Sequence, residues 1–116
     1  MLNASFTNLE LRAIERVCDG LRDATRHAIE RQLAAARVVS RTMHSTGFTT
    51  RLQVVQTCKP VPSTSPVVLG CDSIAGVLIE FEIGLQDGLI THLDGHTYGG
   101  EEFPESFLAD QSSLKP

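Results

Sequence analysis

Residues 75–104 read AGVLIEFEIGLQDGLITHLDGHTYGGEEFP. Val77, Ile79, Phe81 and Ile83 alternate with Leu78, Glu80 and Glu82. Side chains two apart share one face of a strand, so the first set is expected to face a core and the glutamates water. Asp87-Gly88 is a strong reverse-turn pair, because both residues accept the positive φ that a two-residue hairpin turn demands. Residues 89–94 then form the return strand, and Gly95, Gly99 and Gly100 break its regularity ahead of Glu101, Glu102 and Glu105. The stretch predicts an antiparallel hairpin, buried on one side and wet on the other.

The segments before it extend that sheet. RVVSRTMH (37–44) and FTTRLQVV (48–55) are rich in β-branched residues and flank a short Ser45-Thr46-Gly47 loop, the pattern of a second hairpin. In the latter, Phe48, Thr50, Leu52 and Val54 share one face. CKPVPSTSP (58–66) holds three prolines and reads as an exposed loop. Residues 67–69 read as a short strand and GCDSIAG (70–76) as a turn or irregular connection.

The first third reads as two helices, about 8–19 and 24–36. Thr7 and Glu10 have capping-box spacing, and Phe6 and Leu11 fall where a hydrophobic staple would close. Ile14, Val17, Cys18 and Leu21 recur at helical spacing, with Arg12, Glu15 and Arg16 opposite. Gly20 is the expected terminator in a left-handed conformation. Asp23 is the expected cap of the second helix, whose stripe is Ala28, Ile29, Leu33 and Ala36. The fold predicted is α+β: two N-terminal helices packed on one face of a four- or five-stranded antiparallel meander sheet. It forms a single domain over 1–116, with the sheet at about 37–98 and an irregular acidic tail at 99–116.

Composition narrows the functional classes. At 116 residues with 41% hydrophobic content, one core fits one domain. No apolar run reaches the ~20 residues of a membrane helix, and the first residues lack a signal-like pattern. Cys18, Cys58 and Cys71 are an odd number without Cys-x-x-Cys spacing, which fits reduced thiols in a cytoplasm. Residues 1–71 carry nine bases and five acids, a net of +4; residues 72–116 carry nine acids and one base, a net of −8. Charge layout bears on partners rather than fold. An acidic half repels nucleic acid and attracts basic protein surfaces.

AAARVVSR (34–41), Gly47-Phe48-Thr49-Thr50, Gln86-Asp87-Gly88-Leu89-Ile90, Leu93-Asp94-Gly95 and Thr97-Tyr98-Gly99 together resemble a family of small bacterial α+β proteins. In that family a helix pair precedes an antiparallel sheet. The resemblance implies the fold and no activity. Thr49 stands where the family carries a second aromatic, and His92 and His96 lie outside its pattern.

Three groups of residues invite chemistry. His92, Asp94 and His96 share one strand face by spacing, and two imidazoles with a carboxylate suit zinc or iron. Glu101, Glu102 and His44 are the nearby choices for a fourth ligand, and an outward polar row accounts for the same letters. Cys71-Asp72-Ser73 offers a thiol in a predicted loop but no ordered base. There is no Gly-x-Gly-x-x-Gly, Walker sequence or Gly-x-Ser-x-Gly elbow. No catalytic residue and no cofactor is therefore assigned.

The acids remain. Glu80, Glu82, His92, Asp94, Glu101, Glu102 and Glu105 are the expected partner-binding set, against the plain alternative of a solubilising surface. The function expected is a non-enzymatic protein-binding module. Its concrete form is an immunity protein that neutralises a basic toxin domain, with no nucleic-acid or membrane partner. One alternative is a small metal-dependent enzyme or sensor using His92, Asp94 and His96. Another is a homodimer of structural role joined through the open sheet face.

Overall fold

The computed structural model describes residues 6–55, 57–63, 65–74 and 76–103. Two helices, α1 (Asn8–Asp19) and α2 (Asp23–Ala35), precede five strands: β1 (Arg37–His44), β2 (Gly47–Gln53), β3 (Val67–Ile74), β4 (Val77–Gln86) and β5 (Leu89–Thr97). All strand pairs are antiparallel, so the chain is an α+β fold with both helices packed on one face of a five-stranded sheet.

The strand order is β1-β2-β5-β4-β3. Each hairpin is a meander step, but β2 pairs with β5 rather than β3. The proline-bearing connection after β2 must therefore carry the chain across to the far edge. Counted from the C-terminus, β5, β4, β3 and β2 have the order of a Greek key.

The inner face of the sheet and the helices share one core, including Phe48, Leu52, Ile79, Phe81, Ile83, Ile90 and Leu93 with Leu9, Ala13, Val17, Ile29 and Leu33. Each such side chain, once buried, contributes roughly 1.5–3 kcal/mol relative to exposure. Two register shifts keep the apolar letters inward. One, between Val38 and Ser40, leaves Val39 exposed on β1. Bulges and arginines blunt an edge strand against pairing with other chains, and β1 carries both. The other shift pairs Gly84 with His92 but Leu85 with Ile90, so Thr91 is the extra residue and Ile90 returns to the core. The Asp87-Gly88 turn joins β4 and β5 with positive φ at both residues.

Several local expectations need correction. The GCDSI segment is strand, not turn: β3 runs through Ile74, paired to β4 as far as Val77. Its glycine serves packing, because a Cβ on Gly70 would sit 2.6 Å from the α1 backbone at Arg16 and Val17. Strand β5 passes through Gly95 and ends at Thr97. Gly20 caps α1 with φ −91° rather than in a left-handed state. Arg22, not Asp23, is the N-cap of α2 and makes no side-chain cap bond. The Thr7–Glu10 capping box forms, but Leu11 is exposed instead of closing a staple on Phe6.

Candidate functional site

Two buried polar groups tie helices to sheet, and the sequence shows neither role. Glu10 has no exposed side-chain surface. It accepts hydrogen bonds from Arg41 Nε at 2.8 Å and Nη2 at 3.0 Å, from the Thr50 hydroxyl and from the Thr7 amide. Burial pushes its pKa up, but the bonds from Arg41, Thr50 and Thr7 outweigh that and hold the carboxyl below its ordinary value. Gln32 is buried; its amide donates to the carbonyls of Lys59 (3.0 Å) and Gly88 (2.8 Å) and accepts from the Ile90 amide (2.8 Å). These residues are frame, not site.

The Cys18 thiol is likewise a core group. Burial pushes the Cys18 thiol up to about 11, which disfavours the thiolate needed for nucleophilic attack. Cys71 lies on the outer face of β3 opposite Glu80, in a strand rather than the expected loop. Asp72 points the other way: Arg12 Nε (2.8 Å) and Arg16 Nε (3.0 Å) both donate to its Oδ2. Burial raises its pKa, and the two arginines with the Ser73 amide bring it below the usual carboxylate value. The arginines expected to face water on α1 thus clamp it to β3.

Neither of the described helices covers the outer sheet face. Alternation along β3, β4 and β5 places Leu69, Cys71, Leu78, Glu80, Glu82, His92, Asp94 and His96 there. Leu69 and Leu78 are about half exposed, as is Tyr98 just beyond β5. Two polar groups form on it. In one, His96 Nε2 lies 3.2 Å from Glu80 Oε1, the Tyr98 hydroxyl donates to Glu80 Oε2 at 2.7 Å, and the His96 and Tyr98 rings meet edge-on. In the other, His92 Nε2 lies 3.3 Å from Glu82 Oε2 and 3.5 Å from Asp94 Oδ2.

The spacing-based triad of His92, Asp94 and His96 is therefore split. Glu82 replaces His96 beside His92 and Asp94, because Glu82 is the cross-strand partner of Asp94, whereas His96 is the partner of Glu80. Sequence spacing along one strand could not choose between them; the register of β4 against β5 decides. Of the other expected partner-binding residues, Glu101 and Glu102 are exposed but lie in the segment that turns back to the β1–β2 turn. There the Phe103 amide donates to the Ser45 carbonyl at 2.8 Å, and Phe103 packs edge-on against Phe48. Glu105 lies outside the described residues. His44 pairs with Gly47 at that same end, and two strands, β2 and β5, lie between it and Glu80.

The β1–β2 half of the outer face differs in sign. Arg37 pairs with Gln53, and Arg51 with His92, in the sheet register. Acids thus occupy the β4–β5 side and bases the β1–β2 side. The depressions near the proline-bearing loop are lined by Leu52, Val54, Pro60, Ile90 and Asp87 among others. Among the described residues they gather no pair of titratable groups of the kind that acid–base chemistry needs.

Compared with protein-family models, with curated proteins and with solved structures, the chain gave no match. None of the described helices is long and apolar enough to cross a membrane.

Proposed function

We propose that this chain is a non-enzymatic protein-binding module whose outer sheet face, over β3, β4 and β5, docks a basic protein domain. The observation that carries it is the combination, on the one sheet face that neither described helix covers, of exposed Leu69, Leu78 and Tyr98 with Glu80, Glu82 and Asp94. Exposed apolar surface rimmed by charge is typical of interaction sites. A lysine or arginine lays its aliphatic stem on apolar side chains while its head meets carboxylates. Complementary charge raises association rate and selects the partner. In its concrete form the module is an immunity protein of a bacterial cytoplasm that blocks a basic toxin domain.

The test is calorimetric titration of the protein with the basic product of the neighbouring reading frame. At low salt a one-to-one complex is expected, weakened about tenfold or more at high salt, since exposed charge pairs are screened. Glu80→Lys together with Leu78→Asp, both on the surface, should weaken it further by at least ~100-fold, the size expected when central contacts are reversed. If no complex forms at low salt, or the double variant binds like the parent, the proposal fails.

A further inference from the structure

We propose that Glu82, His92 and Asp94 form a divalent transition-metal site, with zinc the ion their chemistry fits best. The site shares Glu82 and Asp94 with the proposed docking face, but its test reads zinc binding alone, without the partner.

The three donors arrive from two strands by register. Glu82 faces Asp94 directly across β4 and β5, and His92 is two residues along the same face, opposite Gly84. Their ligand atoms lie within 4.8 Å of one another. The separations from His92 Nε2, 3.3 Å to Glu82 Oε2 and 3.5 Å to Asp94 Oδ2, match the edge of a zinc tetrahedron. Bonds of ~2.0–2.1 Å at tetrahedral angles put neighbouring ligand atoms about 3.3–3.4 Å apart. One imidazole and two carboxylates are a donor set that zinc accepts.

The surroundings hold the donors in place. His92 Nδ1 lies 3.0 Å from the Thr91 hydroxyl. A proton on Nδ1 donated to that hydroxyl turns the Nε2 lone pair toward the carboxylates, the outer-shell arrangement common at metal-binding histidines. Thr91 is the bulge residue of β5, so the register shift places this partner. The ring itself lies over Gly84, where a Cβ would come within 2.0 Å of its Cε1; a side chain there would displace it. Asp94 Oδ1 is buried with no hydrogen-bond partner among the described residues. Coordination through Oδ2, the oxygen that faces His92, would place a cation beside that carboxylate. Each of the three side chains is about a quarter exposed, which leaves an entry path and room for water in the remaining position.

The test is titration of chelator-stripped protein with zinc chloride, followed by calorimetry and by the imidazole nitrogen signals of uniformly ¹⁵N-labelled protein. One equivalent of zinc should bind, with the His92 Nε2 signal moving. Glu82→Gln and His92→Ala should each weaken binding at least tenfold, while His96→Ala and Cys71→Ser leave it unchanged; circular dichroism confirms that each variant folds. Gly84→Ser, which disturbs only the seat of the ring, should weaken binding too. The proposal is overturned if no stoichiometric zinc binds, if His92→Ala binds as tightly as the parent, or if binding is lost in His96→Ala or Cys71→Ser instead. It is also overturned if the His92 signals show only an imidazolium paired with the two carboxylates at saturating zinc.

Discussion

Glu10 shows how one side chain serves two levels of structure. Its capping-box role is local, three residues from Thr7, and that spacing is readable in the sequence. Its second role is not, because Arg41 lies 31 residues away and Thr50 lies 40. Only the tertiary fold brings Glu10 of α1 within reach of Arg41 on β1 and Thr50 on β2. A buried carboxylate survives there because charged and hydroxyl donors replace its lost water. Its pKa is lowered in the fold from an ordinary value of 4.5. The stabilisation it provides is therefore fully present above about pH 4.5 and is lost as pH falls through the lower folded value. Glu10→Gln should cost about 2–3 kcal/mol at pH 7, less than a fully enclosed pair because Arg41 retains access to water. Urea unfolding at pH 7 and at pH 3 measures this, and the difference between parent and variant should shrink at the lower pH. A constant difference would mean that the carboxylate's charge does not matter.

At the scale of elements, the helices and the two hairpins were legible because each rests on a short-range signal: periodicity of 3.6 or 2, a capping box, an Asp-Gly turn. Strand β3 was only partly legible. GCDSIAG carries the letters of a turn, yet residues 70–74 are strand. Gly70 is there because α1 crosses β3 at backbone contact, and Asp72 because Arg12 and Arg16 reach it from that helix. Both reasons lie in another element, which local composition cannot express. Gly70→Ala should thus lower stability by about 1–3 kcal/mol, the usual cost of overpacking a tight contact, although alanine is tolerated in strands. Thermal unfolding would show it as a lowered midpoint. An unchanged midpoint would mean that α1 does not rest on β3 so closely. The candidate site followed the same logic. His92 and Asp94 were legible as a pair on one strand face, but exchanging His96 for Glu82 needed the register between β4 and β5.

Across the whole molecule, the division of the chain into basic and acidic parts does not become two surfaces of opposite sign. Asp72, from the acidic part, is consumed by two arginines of α1. Glu101 and Glu102 run toward the β1–β2 turn. What remains on the open sheet is a smaller group, Glu80, Glu82 and Asp94, framed by Leu69, Leu78 and Tyr98 and facing a more basic β1–β2 half. The two helices take the inner face, so the sheet's only uncovered broad surface among the described residues is this outer one. A partner seated there would meet acid over β4 and β5, apolar contact toward β3 and positive charge toward β1. The most direct measurement is an amide chemical-shift map of ¹⁵N-labelled protein titrated with its basic partner domain. Docking on the open sheet predicts that the largest shifts fall in β3, β4 and β5, centred on Leu78, Glu80 and Glu82, with α1 and α2 nearly still. Shifts concentrated on the exposed faces of α1 and α2 would contradict it.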